Sequence, residues 1–187
     1  MDRNMNILHS SGSNEWYTPR EIIRRVKEVL GRIDLDPASC EEANKIVGAR
    51  HYFSENALEK KWEDFGYWVD WDTYGSLNIF LNPPGGKTGN YSNTCLFWQK
   101  LMSTKFDHAI FLAFSIEALQ TTQRGPFYKS IGDFMVCVPA VRIRFNSPTG
   151  KSMAPTHSNC IVYVPGKRNE KRKFKKWFSE VGVILNG

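Results

Sequence analysis

The sequence predicts an α/β domain in which a mostly parallel sheet is flanked by helices. Short apolar runs, such as 77–81, 108–114 and 159–164, alternate with amphipathic stretches at helical spacing. Strands that alternate with helices in this way favour parallel pairing. The chain has 187 residues, of which 41% are hydrophobic, and this is enough for one packed domain. We therefore expect a single domain at 15–187 after a polar, flexible segment at 1–14.

Helices are predicted where apolar residues recur every three or four positions. The first spans 19–30, with Thr18 as its N-cap, Pro19 in its first turn and Gly31 at its end. Further helical stretches are expected at 41–47, 94–103 and 116–123.

Strands are predicted for the short apolar or aromatic runs between these helices. They are expected at 32–36, 49–53, 66–72, 77–81, 108–114, 134–138 and 159–164. Gly, Asn, Ser and Pro dominate 85–92 and 146–158, so both stretches are predicted to be loops.

The basic residues are concentrated in one segment. The formal net charge is +6, and 167–176 alone contains seven Lys or Arg residues and one Glu, so the rest of the chain is balanced. Aromatic residues at helical spacing predict a basic helix over 167–178. A local excess of this kind suits a phosphate backbone. The alternative is a solvated helix face docked through Phe174, Trp177 and Phe178.

Cysteine and histidine positions predict no metal site. The four cysteines are widely spaced and include no Cys-x-x-Cys pair, and His51, His108 and His157 lack ligand spacing. No apolar run approaches the length that spans a membrane, and the N-terminus shows no signal peptide. We expect a cytoplasmic protein with reduced cysteines and no membrane partner.

The most informative motif is Asn82-Pro83-Pro84, which directly follows the strand predicted at 77–81. In open α/β sheets, ligands bind at the carboxyl ends of the strands. The two prolines offer no N–H and fix their own φ angles, so oxygen acceptors predominate there. Acceptors of this kind suit an exocyclic amino group. The alternative is a simple strand-ending turn.

Two more motifs come earlier in the chain. The stretch 15–22 places an aromatic pair and a Thr-Pro helix start before the first strand, and 35–39 places Asp36-Pro37-Ala38 where that strand ends. The Asp36 carboxylate could accept hydrogen bonds from a ligand's ammonium group. Each motif alone is weak, because Asp-Pro is a common turn and Trp-Tyr could be core packing. Their order is specific.

That order resembles the gamma-type amino-methyltransferases and, in finer detail, the phage-type DNA N6-adenine methyltransferase family. The matching stretches are 15–19, 33–39, 43–44 and 80–84. The resemblance implies a reduced Rossmann-like fold of the class I methyltransferases, with S-adenosylmethionine as cofactor and adenine N6 in DNA as methyl acceptor. It also implies a phage or prophage origin and the host cytoplasm as location.

The resemblance also implies roles for individual residues. The catalytic group that grips the target amine would be Asn82, Pro83 and Pro84. The cofactor-binding residues would be Trp16, Tyr17, Thr18, Pro19, Asp36, Pro37, Ala38 and Ser39. Gly85 takes the motif position next to the base. Independently of the resemblance, loop position and basic charge indicate further contacts with the DNA substrate by Tyr91, Arg142, Arg144, Lys171, Arg172, Lys173, Lys175 and Lys176.

The chain departs from the family pattern at two places. Gly85 stands where an aromatic residue usually stacks on the flipped base, and Tyr91, Phe114 or Phe145 could replace it. No Gly-x-Gly loop follows Asp36, so Glu55 and Asn56, or else Asp70 and Asp72, would contact the adenosyl half.

Two alternatives to adenine methylation stay open. Cytosine N4 transfer needs the same amine chemistry, although Ser-Pro-Pro is more usual there. The absence of an aromatic residue at Gly85 is also compatible with a catalytically degenerate module that only binds cofactor or DNA.

Overall fold

The structure, a computed structural model, describes residues 16–66, 76–116, 118–123, 130–146, 152–153 and 157–187. Five α-helices lie in these ranges: α1 (Arg20–Leu30), α2 (Glu41–Val47), α3 (Asn93–Ser103), α4 (Ala118–Thr121) and α5 (Lys171–Phe178). Two 3₁₀ helices span Trp62–Phe65 and Ile131–Asp133. The strands are β1 (Leu35–Asp36), β2 (His51–Tyr52), β3 (Asn78–Leu81), β4 (Lys87–Thr88), β5 (Tyr91–Ser92), β6 (His108–Ala113), β7 (Met135–Pro139), β8 (Phe145–Asn146), β9 (Ser152–Met153), β10 (Cys160–Pro165) and β11 (Gly182–Leu185).

Seven of the strands form one sheet in the order β11-β7-β10-β6-β3-β1-β2. Neighbours among β6, β3, β1 and β2 are parallel. Strand β10 is antiparallel to both β6 and β7, and the edge strand β11 is antiparallel to β7. Five of the seven strands therefore point the same way. This confirms the predicted α/β class with a mostly parallel sheet.

Helices cover both faces of this sheet. Residues of alternating parity point to opposite faces of a strand, so Phe80 and Ile110 pack against α1 and α5. Ile79 and Phe111 face the other side, where α3 and the first 3₁₀ helix pack. The result is a three-layer arrangement in which the central strands β3 and β6 are buried on both sides.

Helix α1 begins one residue later than predicted, and its N-cap differs. Pro19 occupies the cap position, and its carbonyl accepts hydrogen bonds from the Ile22 and Ile23 N–H groups. Thr18 does not cap the helix, so this prediction is wrong. Its hydroxyl instead accepts a hydrogen bond from Asn82. Gly31 ends the helix as predicted, with φ at 76° and its N–H bonded to the Lys27 carbonyl at 2.7 Å.

The sequence predicted most of the remaining elements, but shifted or missed several. The helix expected from 167 begins at Lys171, and the one expected from 116 begins at Ala118. The loop predicted at 85–92 contains the β4–β5 hairpin, and 146–158 contains part of the β8–β9 pair. Strand β11 was not predicted at all. The segment at 1–14 and the predicted strand beyond residue 66 lie outside the described residues.

Three other expectations concern cysteines, metals and membranes. All four cysteines are free thiols, and burial raises the pKa of Cys137 and of Cys160 to about 12. In the described part of the chain, no cluster of His, Cys, Asp and Glu could hold a metal ion. No helix within the described ranges is long and apolar enough to cross a membrane.

We expect Trp98→Ala to destabilise the fold strongly. The Trp98 side chain is 0% exposed and contacts the rings of Phe111 and Phe134 edge-on, at centroid distances of 5.1 and 5.6 Å. Its removal leaves a large cavity between α3 and the sheet, so the free energy of unfolding should fall by about 3–5 kcal/mol in urea denaturation. Val183→Ala, at a position 65% exposed, should change it by less than about 0.5 kcal/mol. A loss below about 1 kcal/mol for Trp98→Ala would contradict this packing.

Candidate active site at the carboxyl edge of the sheet

The candidate site lies where the order of the parallel strands reverses. Strand β1 pairs with β2 on one side and with β3 on the other. The chain therefore leaves β1 in one direction through α2 and returns to its other side at β3. In open α/β sheets, such a switch point opens a crevice at the carboxyl ends of the strands. Asp36 and Asn82 stand at these two ends.

The register between β1 and β3 brings the two motifs side by side. Leu35 pairs with Ile79, so Asp36 lies beside Phe80, two residues before Asn82. Side chains alternate along a strand, which places those of Asp36, Phe80 and Asn82 on the same face. This is the face that α1 covers, because Phe80 packs in the core that α1 lines.

The Asn82 amide has a defined orientation. Its Nδ2 donates to the Thr18 hydroxyl at 3.3 Å and to the Trp16 carbonyl at 3.5 Å. With both bonds on the nitrogen, the Oδ1 atom is directed away from the N-terminal segment, and no described residue donates to it. Pro83 is buried and Pro84 is half-buried, so the chain after Asn82 is held against the core. The site therefore presents a fixed amide oxygen acceptor.

The segment around Tyr17 reaches this edge through pairing with a distant part of the chain. Tyr17 and Asn146 form an isolated antiparallel bridge, with N–H to carbonyl distances of 2.8 and 3.0 Å. The Cys40 thiol donates to the Tyr17 hydroxyl at 3.7 Å. Thr18 is only 4% exposed. Both Tyr17 and Thr18 are thus anchored next to the ends of β1 and β3.

Asp36 is a buried carboxyl group without a cationic partner among the described residues. It is 2% exposed, and its Oδ1 accepts one hydrogen bond, from the Ala38 N–H at 3.3 Å. Burial raises the pKa of Asp36 to about 7, because desolvation of the charged form outweighs the Ala38 N–H and the nearby Ser39 hydroxyl. A ligand ammonium would supply the missing positive charge.

The surrounding turn fits an amino-acid ligand in one further respect. The Ser39 Oγ is buried and makes no hydrogen bond of normal geometry within the described part of the chain. Pro37 is buried and Ala38 is half-buried. The Ser39 N–H is bonded to the Phe53 carbonyl at 2.9 Å, which fixes the turn to the end of β2. A carboxyl group and a hydroxyl that makes no hydrogen bond of normal geometry among the described residues therefore lie together at the end of β1.

Glu55 and Asn56 are the residues expected to contact the adenosyl half of the cofactor. Glu55 and Asn56 are exposed and follow β2, so they lie at the same edge of the sheet as Asp36. Asn56 has a φ of 53°, which is uncommon for a residue other than glycine. Asp70 and Asp72 lie outside the described residues.

The loop after the Asn-Pro-Pro motif is an ordered hairpin. The Asn93 side chain donates to the Gly85 carbonyl at 2.9 Å and accepts from the Thr88 hydroxyl at 2.7 Å. This network ties the β4–β5 hairpin to the start of α3. Gly85 is exposed, and a Cβ atom built there meets nothing within 4 Å. Tyr91, in the same hairpin, is 60% exposed.

Phe114 and Phe145 differ sharply as replacements for the absent aromatic residue. Phe145 is 3% exposed and belongs to the core below α1, so it cannot stack on a base. Phe114 is half-buried and follows β6 at the carboxyl edge, with its ring 6.0 Å from that of His157. The side-chain alternation of β6 places Phe114 on the same face as Asn82. Phe114 is therefore the better placed of the two.

The candidate DNA-binding residues fall at two different places. Arg142 and Arg144 are exposed and lie between the carboxyl end of β7 and Asn146, so they flank the site. Helix α5 starts at the opposite edge, because residue 166 is bonded to Asp107 just before β6. Its residues Lys171, Arg172, Lys173, Lys175 and Lys176 thus extend along the outer surface toward the carboxyl edge. The structure does not gather them around Asn82.

Sequence reasoning missed Asn93 and Asn146, which hold the two loops of the site. The Asn93 side chain donates to the Gly85 carbonyl. The main chain of Asn146 is hydrogen-bonded to the main chain of Tyr17. Asn93 is the first residue of α3 and the N-cap is Ser92, so a capping pattern points to Ser92 rather than to Asn93. No local signal marks Asn146.

We expect the stability of Asp36→Asn to exceed that of wild type by an amount that depends on pH. The folded protein binds a proton at Asp36 up to about pH 7, whereas the unfolded chain releases it near the ordinary pKa of 3.8. Wild-type stability therefore falls as pH rises between these values and is level above pH 7. The variant lacks this loss, so its advantage grows to at most about 4 kcal/mol at pH 8.

Urea denaturation of both proteins between pH 4.5 and 8 measures this difference. Glu55→Gln is the matched control, because it removes an exposed carboxyl at the same edge. A constant difference between Asp36→Asn and wild type across this range would contradict the raised pKa.

Comparison with known proteins gave no family assignment. No family model matches the chain, and neither the curated proteins nor the solved structures gave a match. The function of the site is therefore inferred from its own residues and their geometry.

Proposed function

We propose that the protein is a DNA methyltransferase that transfers the methyl group of S-adenosylmethionine to the N6 amino group of adenine. The observation that supports this most is the adjacency of Asp36 and Asn82 at the switch point of the sheet. A buried carboxyl for an ammonium group and an oriented amide oxygen for an amine occupy neighbouring strand ends. These are the two polar groups that such a transfer requires.

The strand order also supports the class I methyltransferase fold. One antiparallel strand, β10, lies between β6 and β7, which run in the common direction. A mostly parallel sheet with helices on both faces is compatible with a Rossmann-like fold. This likeness concerns the fold alone and leaves the chemistry to the site.

The cofactor would be held by the turn that follows β1. Asp36 would pair with the ammonium of its methionine part, and the Ser39 hydroxyl would gain the hydrogen bond that it now lacks. Because Asp36 is only 2% exposed, a local shift of the 37–40 turn must admit the ammonium group. Bound there, the cofactor supplies an electrophilic methyl group.

Asn82 would activate the acceptor amine. The lone pair of an exocyclic adenine nitrogen is delocalised into the ring, so this nitrogen is a poor nucleophile. Hydrogen bonds from its two hydrogens to the Asn82 Oδ1 and a proline carbonyl favour a tetrahedral nitrogen. The Asn82 acceptor is oriented in advance by Thr18 and Trp16, so it needs little reorganisation as positive charge develops.

Because Gly85 has no side chain, the Asn-Pro-Pro motif itself supplies no aromatic ring to stack on the base. Base–aromatic stacking is worth about 1–3 kcal/mol per base, so its loss would slow the reaction roughly tenfold to a hundredfold. Phe114, half-buried at the same edge of the sheet, would supply part of this stacking. A module that binds cofactor or DNA without turnover is the rival function that Gly85 favours.

Asn82→Ala and Asp36→Ala form the test of this function. Asn82→Ala should abolish transfer of labelled methyl groups to adenine-containing DNA, with cofactor affinity largely intact. Asp36→Ala should weaken cofactor binding at least tenfold in calorimetry, because it removes a charge-assisted hydrogen bond worth roughly 1.5–3 kcal/mol. Gly85→Tyr is sterically allowed and should raise activity if the stacking position is unfilled.

The outcomes separate the alternatives. Wild-type protein that binds cofactor but transfers no methyl group supports the degenerate module. Methylation of cytosine rather than adenine supports N4 transfer. Turnover of Asn82→Ala at the wild-type rate places the active site elsewhere.

We expect the two basic regions to contribute differently to DNA binding. Arg142→Gln with Arg144→Gln should reduce both DNA affinity and methyl transfer, because these residues flank Asn82. Neutralising Lys171, Arg172, Lys173, Lys175 and Lys176 should weaken binding and flatten its salt dependence by about 0.9 per lost phosphate contact, with cofactor affinity unchanged. Anisotropy titrations at several salt concentrations measure both effects. An unaltered salt slope for the second set would mean that α5 is only a solvated helix.

A further inference from the structure

Strand β11 is an open edge of the main sheet. It is the outermost strand beside β7, and no described residue pairs with it on its other side. The opposite edge strand, β2, has only two residues, whereas β11 has four, Gly182–Leu185. An exposed edge strand presents unpaired N–H and C=O groups that another strand can bind. The longer of the two edges is therefore the one that is open to pairing.

The hydrogen bonds to β7 determine which main-chain groups of this edge face outward. The Ala140 N–H donates to the Val181 carbonyl at 2.9 Å, and the Gly187 N–H donates to the Phe134 carbonyl at 3.2 Å. Between these two bonds, β11 and β7 keep one antiparallel register. Bonding to one partner alternates along an antiparallel strand, so the odd-numbered residues bond to β7. The residues whose N–H and C=O groups point away from the sheet are Gly182, Ile184 and Asn186.

The side chains of β11 form an exposed apolar row. Val183 is 65% and Leu185 is 47% exposed. They lie opposite Val138 and Val136 of β7, which face the core on which α3 packs. Natural edge strands usually carry a Lys, a Pro or a bulge that prevents pairing. Strand β11 has none of these, because its sequence is Gly-Val-Ile-Leu and its register with β7 is unbroken.

The edge is complementary to itself under a two-fold rotation. If Ile184 lies opposite Ile184 of a second copy, the two residues exchange N–H to carbonyl hydrogen bonds, and Gly182 does the same with Asn186 of the second copy. Val183 then lies opposite Leu185 of the second copy, on the same face of the sheet. This is the pair type in which side chains approach most closely. Closed two-fold contacts are the commonest way in which identical chains associate.

The charge at this edge also favours a second copy. Gly182–Leu185 carries no charge, and Glu180, which precedes the strand, is paired with Arg25 at 3.0 Å. Two copies therefore do not repel each other at the edge, and β11 offers no charged group that would select a different peptide. Helix α5 packs over the other face of β11, that of Ile184. Moderate salt screens the basic residues of α5 and so favours the approach of two copies.

We propose that β11 pairs antiparallel with β11 of a second copy of this chain, centred on Ile184, and joins the two sheets into one. The contact of two four-residue strands is smaller than a standard interface of about 1,600 Å². The dimer is therefore weak and forms at high protein concentration. This assembly goes beyond the proposed methyl transfer and does not depend on it.

Sedimentation equilibrium of the full chain in moderate salt measures the association. The apparent mass should rise from that of one chain at about 1 µM toward that of two chains at about 1 mM. Amide hydrogen exchange locates the contact. The outward Ile184 N–H should exchange at least tenfold more slowly at the higher concentration, whereas the Val183 N–H, bonded to β7, should be protected at both.

Two double variants test the register of the pairing. Val183→Lys with Leu185→Lys should abolish the dimer, because like charges then lie directly opposite each other across the two-fold axis. Val183→Lys with Leu185→Glu should raise the association constant at least tenfold above that of the double-lysine variant, since each Lys then faces a Glu of the second copy. Tyr52→Lys is the matched control, because Tyr52 is 37% exposed on the opposite edge strand. It should change the association constant less than twofold.

The proposal is overturned if the wild-type protein stays monomeric at about 1 mM, or if the Ile184 amide exchanges equally fast at both concentrations. It is also overturned if the double-lysine variant dimerises like wild type, or if the lysine–glutamate variant associates no better than the double-lysine variant. The measurements on wild-type protein need no variant, so misfolding of a variant would not prevent the test. The presence or absence of methyl transfer has no influence on these results.

Discussion

The parallel pairing of β1 with β3 is the constraint on which the rest of this structure depends. The match of Leu35 with Ile79 places Asp36, at the end of β1, beside Phe80 and therefore two residues before Asn82, which directly follows β3. A shift of one residue would turn these side chains to opposite faces, because side chains alternate along a strand. Burial of β3 on both sides makes such a shift costly. The chemistry of the site therefore follows from the packing of the sheet.

Three distant parts of the chain meet at Asn82. The segment at 16–18 accepts both hydrogen bonds of its amide nitrogen, and Asn146 pairs with Tyr17. The same contacts explain why Thr18 does not cap α1. The role of a hydroxyl cannot be predicted from its local sequence when a residue 64 positions further along the chain competes for it. At the other edge of the sheet, the Arg32–Asp34 and Arg168–Asp107 ion pairs form a second polar region.

The sequence predicted what depends on local pattern. Apolar periodicity located α1, β3, β6 and β10, and the prolines after Asp36 and Asn82 marked the carboxyl edge. It did not predict elements with weak patterns, such as the β4–β5 hairpin and β11, whose four residues alternate only shallowly between exposed and half-buried. Nor did it predict the raised pKa of Asp36, which depends on burial by the whole fold. The sequence also did not predict that Arg142 flanks the carboxyl edge of the sheet whereas α5 starts at the amino edge.

The most direct test of the central claim is a crystal structure of the protein with S-adenosylhomocysteine. We expect the ligand to lie in the crevice between the ends of β1 and β3. Its ammonium nitrogen should be about 2.7–2.9 Å from an Asp36 carboxylate oxygen, and its sulfur should face the Asn82 Oδ1. A ligand bound elsewhere, with Asp36 still buried without a cationic partner, would contradict the account.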